Sequence, residues 1–326
     1  MNQFSYVRPA SQQAAIDALT KDKSARFIAG GTNLLDLMKN GVVAPEKLVD
    51  INRLPLKSIT LNNNTLHIGA LTLNSEVAAH TLVTTRHPLL SQALLAGASQ
   101  QLRNMATTGG NMMQRTRCSY FYDITMPCNK RTPGSGCSAI GGINRMHAIF
   151  GASDQCIAVH PSDMCIALAA LDATVLVAGP KGNRRIPFGE FHRLPGNTPD
   201  KDNNLGKGEL ITGIDIPASP FTQNIYYLKV RDRASYAFAL VSVAAALDIS
   251  NNTIRSARLA MGGVAHKPWR LHEAEKALIG KTPTIENFRI AATVATQSAR
   301  TYKHNAFKVP MAQNSLVTAL SKAAAV

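Results

Sequence analysis

Apolar positions in this chain come in short blocks separated by glycine, proline and asparagine. After Ser11, the residues Ala15, Ile16 and Leu19 share one face at helical spacing, which predicts a helix capped by Ser11 and running through Thr20. Arg26 to Ala29 predicts a short buried strand and Lys47 to Ile51 a second. Leu66, Ile68 and Ala70 alternate with other residues, the period of a half-buried strand. Helices are predicted at 75–80 and 88–103. From 112 to 156 periodicity fades into glycines, prolines and cysteines. It returns in HPSDMCIALAALDATVLVAG as a helix followed by a strand at 173–178, and PGNTPDKDNNLGKG at 195–208 is a polar loop. Beyond Phe221, the stretches NIYYLKV, FALVSVAAALDI and TIRSARLAMGGV predict three strands, the last two joined by a turn at Asn251-Asn252. Helices follow at about 271–279, 285–300 and 314–323. Strands first and helices after them predict an α+β layer.

These blocks divide the chain into a first lobe at 1–55, a second at 56–220 and a third unit at 221–326, within the size range of compact domains. No internal repeat or low-complexity linker interrupts them. No apolar run approaches the length of a membrane span. The start, MNQFSYVRPASQQ, lacks the basic and apolar regions of a signal peptide. With 35 basic against 20 acidic residues the chain carries a formal charge of +15. The basic residues are scattered and not interleaved with aromatics, so no nucleic acid partner is expected. An acidic partner subunit suits the charge better.

Two glycine pairs carry the first chemical signal. In RFIAGGTNLLDLMKNG a strand breaks at Gly30-Gly31, and Thr32 or Asn33 can cap a helix beginning near Leu34. Glycines let a ligand approach main-chain N–H groups, and a helix start adds unpaired donors, a combination suited to phosphate or pyrophosphate. In RNMATTGGN, Thr107, Thr108 and Asn111 offer side-chain hydrogen bonds while Gly109 and Gly110 can form a nest of N–H groups. Two such loops could grip one long anionic cofactor from two sides. Neither is the GxGxxG of a Rossmann site, and neither ends in the Gly-Lys-Ser/Thr of a P-loop.

AGGTNLLDLMKNG and ATTGGN resemble the two FAD-binding loops of the flavoprotein subunits of molybdenum hydroxylases, such as the medium subunit of carbon monoxide dehydrogenase and the flavin domain of xanthine dehydrogenase. HPSDMCIALAAL, GELITGIDIP and RLAMGGVAHKPWRLHEAEKALIGK agree, so the resemblance runs to at least Lys281. The cysteine-bearing insertion makes the chain most similar to the FAD-binding subunits of bacterial periplasmic aldehyde oxidoreductases. The resemblance implies an α+β chain: a two-lobed FAD-binding domain of the vanillyl-alcohol-oxidase/PCMH type, then a C-terminal α+β domain of the carbon monoxide dehydrogenase flavoprotein type that closes over the flavin. It implies FAD held by Arg26, Phe27, Ile28, Ala29, Gly30, Gly31, Thr32, Asn33 and Leu34, and by Thr107, Thr108, Gly109, Gly110 and Asn111. Asp163 begins a helix, where its plain role is an N-cap, and the resemblance adds a hydrogen bond to flavin hydroxyls. Lys229 reads as a solvated lysine at a strand end, and the resemblance puts it near the isoalloxazine. The implied complex has a molybdenum-cofactor large subunit, a [2Fe–2S] small subunit and an external electron acceptor. The implied compartment is the periplasm, reached with a signal-bearing partner, with the cytoplasm as the alternative. A free-standing FAD oxidoreductase is a second functional reading.

Five cysteines occur, and Cys165 sits in an apolar helix as a buried structural thiol. Cys118, Cys128, Cys137 and Cys156 fall in the irregular segment as C-x9-C-x8-C-x18-C. They admit four readings: unrelated thiols, disulfides, structural zinc without its usual close pairs, or a [4Fe–4S] cluster in one wrapped loop. A zinc- or disulfide-stapled subunit without redox work is therefore a third functional reading. The resemblance favours the cluster, because cluster-bearing members carry such an insertion just after the second flavin loop. Residues 112–158 look too polar to order through a core, and a metal site can supply that ordering. Gly134, Gly136, Gly141 and Gly142 would let the loop wrap, and Arg115, Arg117, Lys130, Arg131 and Arg145 would offset thiolate charge. His147 and His160 flank the segment without metal-site spacing and read as structural. No acid–base constellation stands out, as suits a subunit that moves electrons.

Overall fold

The computed structural model describes residues 1–325 and contains three sheets. The first is parallel, with β1 (Ser5–Val7), β2 (Ala25–Ile28) and β3 (Lys47–Asp50) in the order β1-β3-β2. The helix Gln12–Lys21 covers it, burying Ala15 and Ile16, and the Ser11 side chain caps it at the amide of Ala14. β1 escapes the sequence pattern because all three of its residues are exposed.

The second sheet is antiparallel, formed by β4 (Ile59–Asn62), β5 (Thr65–Gly69), β6 (Thr174–Gly179), β7 (Gly182–Pro187) and β8 (Leu210–Ile216) in the order β4-β5-β8-β6-β7. Leu66, Ile68, Val175, Ile214 and Ile216 point from it into one core shared with the helices Pro88–Ala96 and Asp163–Ala170. The single helix expected at 88–103 is two pieces, Pro88–Ala96 and Gln100–Arg103. Between them Ala98 takes a left-handed φ of 52°, which no helix continues through. Met164 to Leu171 are buried on every side, so the helix Asp163–Ala170 is a central pillar without a polar face.

The third sheet joins β9 (Ile225–Val230), β10 (Val241–Ser250), β11 (Thr253–Gly262) and β12 (Trp269–Arg270) in the order β12-β11-β10-β9. Successive β10 residues face opposite cores. Ala244 and Ala246 pack toward the pillar helix, while Val241, Val243, Ala245 and Leu247 meet the helices His272–Leu278, Ile285–Thr296 and Lys308–Ala324. The last helix starts six residues before the predicted 314. Pro310 is tolerated in its first turn, and Lys308 is fully buried with its ammonium donating to the carbonyls of His147 and Gly263.

The segment 112–158 does have a core, contrary to expectation. Phe121 packs with Leu37, Val42 and Cys128, and Ile149 and Phe150 enter the core of the third sheet. Phe150 stacks on Trp269 with ring centroids 5.3 Å apart. The buried residues of the segment lack periodicity because each packs against a partner distant in sequence.

Candidate functional site

The first glycine loop leaves the end of β2 and enters the short helix Leu34–Lys39. Asn33 occupies the N-cap position but makes no side-chain cap. Its Oδ1 instead accepts the backbone N–H of Arg115 at 2.9 Å, tying this loop to the start of the cysteine segment. Its buried Nδ2 has no partner. Nor do the amides of Gly30, Gly31, Thr32 and Asn33 meet an acceptor among the described residues. Gly31 has φ +72°, and a Cβ on Gly30 would stand 1.9 Å from the carbonyl oxygen of Met105. The second glycine is thus needed for its conformation, and the first because the two loops touch through their main chains.

The second loop is not the open nest of N–H groups expected of it. Residues Thr108–Met112 form a helical turn capped by Thr107, whose hydroxyl accepts the Gly110 amide at 3.2 Å. The amides of Thr108, Gly109 and Asn111 go to the carbonyls of Thr72, Ala70 and Thr107. Gly109 gives close approach to the residue that follows β5, where an added Cβ would lie 3.2 Å from Ala70. Thr108 turns inward, its hydroxyl donating to the Thr72 carbonyl.

Two cavities adjoin the loops. One, of about 520 Å³, is lined by every residue from Arg26 to Leu34 and by Thr107, Gly109 and Gly110. The other, of about 580 Å³, is lined by Thr32, Asn111, Asp163 and Lys229. Thr32 belongs to both, so together they form one elongated site along the seam of the loops. Thr108 lies outside both linings. Unpaired amides at one end and a long, two-chambered cleft fit a dinucleotide such as FAD.

Asp163 is not the N-cap of its helix. That role falls to Ser162, whose hydroxyl accepts the Cys165 amide. The Asp163 carboxylate accepts from the Tyr227 hydroxyl at 2.8 Å and from the Lys229 ammonium at 2.7 Å. Lys229 is not solvated: its side chain is buried and also donates to the Ala96 carbonyl. Burial beside Asp163 holds the Tyr227 hydroxyl well above the ordinary phenol range.

Cys118, Cys128, Cys137 and Cys156 line one small pocket, with Lys130, Phe121 and Ala158. All five cysteines are free thiols. Cys128 and Cys137 face each other across an isolated antiparallel bridge. Burial raises the Cys118 thiol to about 12 and the Cys156 thiol to about 11. Among the described residues, the one set of three metal-ligating side chains whose donor atoms lie within 4.8 Å of one another is His160, Cys165 and His192. Among the described residues, no three of the four cysteine sulfurs therefore lie within 4.8 Å of one another.

Most of the cations expected to balance these thiolates are engaged elsewhere. Arg115 pairs with Asp202, Arg117 with Asp36 and Arg145 with Asp232, while Arg131 donates to the carbonyls of Tyr120 and Phe121. Lys130 alone lines the cysteine pocket. It is buried, pairs with Asp202 and donates to the Pro199 carbonyl. Although burial opposes it, Lys130 and Arg115 hold the Asp202 carboxyl below its usual range. His147 is more than a spacer, because its Nε2 lies 3.1 Å from the Cys118 sulfur. A third cavity, of about 440 Å³, is lined by Cys118, His147, Ser162 and Asp163, so the cysteine pocket and the two-chambered cleft are neighbours.

Sequence spacing missed Tyr227, Asp202 and His147, since each meets its partner across dozens of residues. Residues 2–219 match the family described as FAD binding domain in molybdopterin dehydrogenase, and residues 226–323 match the CO dehydrogenase flavoprotein C-terminal domain. The chain is 46% identical to the aldehyde oxidoreductase FAD-binding subunit PaoB of Escherichia coli, covering 100% of this chain and 99% of that one. It is 32% identical to the glyceraldehyde dehydrogenase medium chain of Sulfolobus acidocaldarius, over 90% of this chain and 88% of that one. The carbon monoxide dehydrogenase of Hydrogenophaga pseudoflava contains a chain of the same fold, with TM-score 0.78, 27% identity and coverage of 99% and 98%.

Proposed function

This chain belongs to the family of FAD-binding subunits of molybdenum hydroxylases, and from that premise we propose that it is the FAD-carrying electron-transfer subunit of a molybdenum-dependent aldehyde oxidoreductase. The observation that carries this reading is the two-chambered cleft meeting at Thr32, with unpaired amides in its first loop. When bound, FAD supplies electron transfer between the [2Fe–2S] clusters of a small partner subunit and an external acceptor. The unpaired amides of Gly30 to Asn33 and the Asn33 side chain would hold the pyrophosphate end. Asn111 and Asp163 would offer polar groups to hydroxyls in the second chamber. Asp163 also pins Lys229 at the wall of the second chamber, where the pair would help to position the ring end of the flavin. Aldehyde oxidation itself takes place at molybdenum in a large partner subunit. The names of the aldehyde-oxidising relatives support that assignment.

The cysteine pocket is assigned to a [4Fe–4S] cluster held by Cys118, Cys128, Cys137 and Cys156, which supplies one-electron exchange beside the flavin cleft. The convergence of four free thiols on one pocket supports it. The complex is assigned to the periplasm, exported after folding with a signal-bearing partner. Co-expression with its neighbouring subunits and affinity purification tests the whole reading. About one FAD per copy of this chain is expected, with four irons beyond those of the co-purified [2Fe–2S] subunit, together with a molybdenum subunit. A flavin-free chain, or a monomer that oxidises aldehydes alone, would overturn it.

A further inference from the structure

Beside the flavin cleft lies a second group of metal-ligating side chains that the proposed function does not use. His160 precedes the pillar helix, Cys165 is in its first turn and His192 follows the helix Phe188–Phe191. A donor atom from each lies within 4.8 Å of the other two. All three residues are buried, with Cys165 at 0% exposure.

The two imidazoles carry the argument. His192 Nε2 lies 2.9 Å from the Met112 carbonyl, an acceptor only, so Nε2 bears the proton. Nδ1 is then left with a bare lone pair, and this buried atom has no partner. His160 Nε2 is likewise buried and unpartnered. The rings are 4.3 Å apart between centroids, yet no hydrogen bond joins them. Two unsatisfied buried ring nitrogens are a cost that a packing role alone does not repay. An imidazole whose other N–H is fixed by a backbone carbonyl has the arrangement of a metal ligand.

We propose that His160, Cys165 and His192 bind a single thiophilic d10 ion, Cu(I) or Zn(II). Two imidazoles and one thiolate are the soft donor set these ions select. Bonds of about 2.0 to 2.3 Å place such donors about 3.5 to 3.8 Å apart, so the side chains close in by at most about 1 Å. Loading breaks the Cys165 S–H bond, forms a sulfur–metal bond and releases the proton to solvent, with no change of oxidation state. Burial keeps all three groups neutral without metal. Lys130 and His266 face the set near His160, Asp202 and Lys267 near His192, and Asp163 near Cys165. His160 and Ser162 also line the 440 Å³ cavity, which provides an entry path. A bound ion would tie the approach to Asp163 to the turn that carries Asn111, because Ser162 donates to Asn111 Oδ1 and Met112 follows it.

The test uses the purified complex with its flavin and iron in place. It is exposed anaerobically to Zn2+ or, separately, to Cu+ as its acetonitrile complex, then desalted and analysed for metal. About one equivalent of at least one ion is expected, with a metal-edge absorption shell of two nitrogens and one sulfur. Cys165→Ser and His192→Gln should each lower retention at least about tenfold while iron and FAD stay unchanged. The zinc and copper arms identify the ion. Retention below a tenth of an equivalent for both ions, equal retention in both variants, or an all-sulfur shell would overturn the proposal. The wild-type absorption edge decides the question even if a variant fails to fold.

Discussion

The Lys229 ammonium stands 2.7 Å from the Asp163 carboxylate, and both side chains are more than nine-tenths buried. One partner comes from the edge strand β9 and the other from the pillar helix, 66 residues apart. Tyr227, two residues along the same strand, completes the carboxylate with its hydroxyl. The pair therefore clamps the third sheet to the second lobe at the wall of the flavin cleft.

Breaking this pair from one side leaves a buried charge. Lys229→Met alone should cost about 3 to 5 kcal/mol of stability. Adding Asp163→Asn to it should recover a large part of that loss, since no charge is then left unpaired. Denaturant unfolding of the single and double variants checks this. Equal stability of the two would mean that the pair is not closed in solution.

The glycine pairs should rank by what a Cβ meets. Gly30→Ala, facing the Met105 carbonyl, should lose most FAD. Gly31→Ala pays for a left-handed φ, about 1 to 2 kcal/mol, and for a Cβ 3.0 Å from the flexible Leu35 side chain. Gly110→Ala, whose new Cβ meets the Thr107 hydroxyl at 2.9 Å, should retain the most flavin. Flavin released from equal amounts of purified variant gives the order. A Gly30→Ala protein with full FAD would contradict the contact between the loops.

Iron should follow the four pocket cysteines. Serine at 118, 128, 137 or 156 should lower iron content and weaken assembly of the complex, whereas Cys165→Ser should keep its iron. Iron analysis and low-temperature EPR of reduced protein separate these outcomes. Undiminished iron in Cys128→Ser would remove the cluster assignment and leave the flavin reading standing.

Acid should destabilise the protein in a defined window. Burial lowers His87 and His266 from 6.5 to about 4, with Arg86 and Lys130 adding to the respective shifts. Between pH 6.5 and about 4 the unfolded chain binds protons that the folded chain refuses. Stability falls as pH drops through that window, by about 1.4 kcal/mol per pH unit for each such proton. Above pH 6.5 these histidines contribute no slope. Urea unfolding of wild type and His87→Phe at pH 7 and 5 should show a smaller loss in the variant.

What the sequence makes legible here is local. Ser11 caps its helix as its hydroxyl predicts, and the alternation at Leu66 and Ile68 marks β5. The two glycine pairs point to the cleft because their chemistry is encoded in neighbours along the chain. β1 and β7 leave little signal, since the first is wholly exposed and the second is a polar edge strand. The pairing of Arg115 with Asp202 cannot be read from spacing, because 87 residues separate them. The role of Gly30 is hidden for the same reason: the atom it must avoid lies on the other loop.

That contact has a consequence for how such chains can change. The group facing Gly30 is a main-chain carbonyl, present whatever side chain occupies position 105. The seam between the loops is thus blind to the identity of one of its sides. Exchange of the first lobe needs no match at residue 105, provided the glycine travels with it, but it still needs the partners of Asn33 and Asp36. A crossover near residue 55 would have to keep Asp36 matched to Arg117 and Leu37 to Phe121, just as one inside the cysteine segment must keep Cys118 with His147.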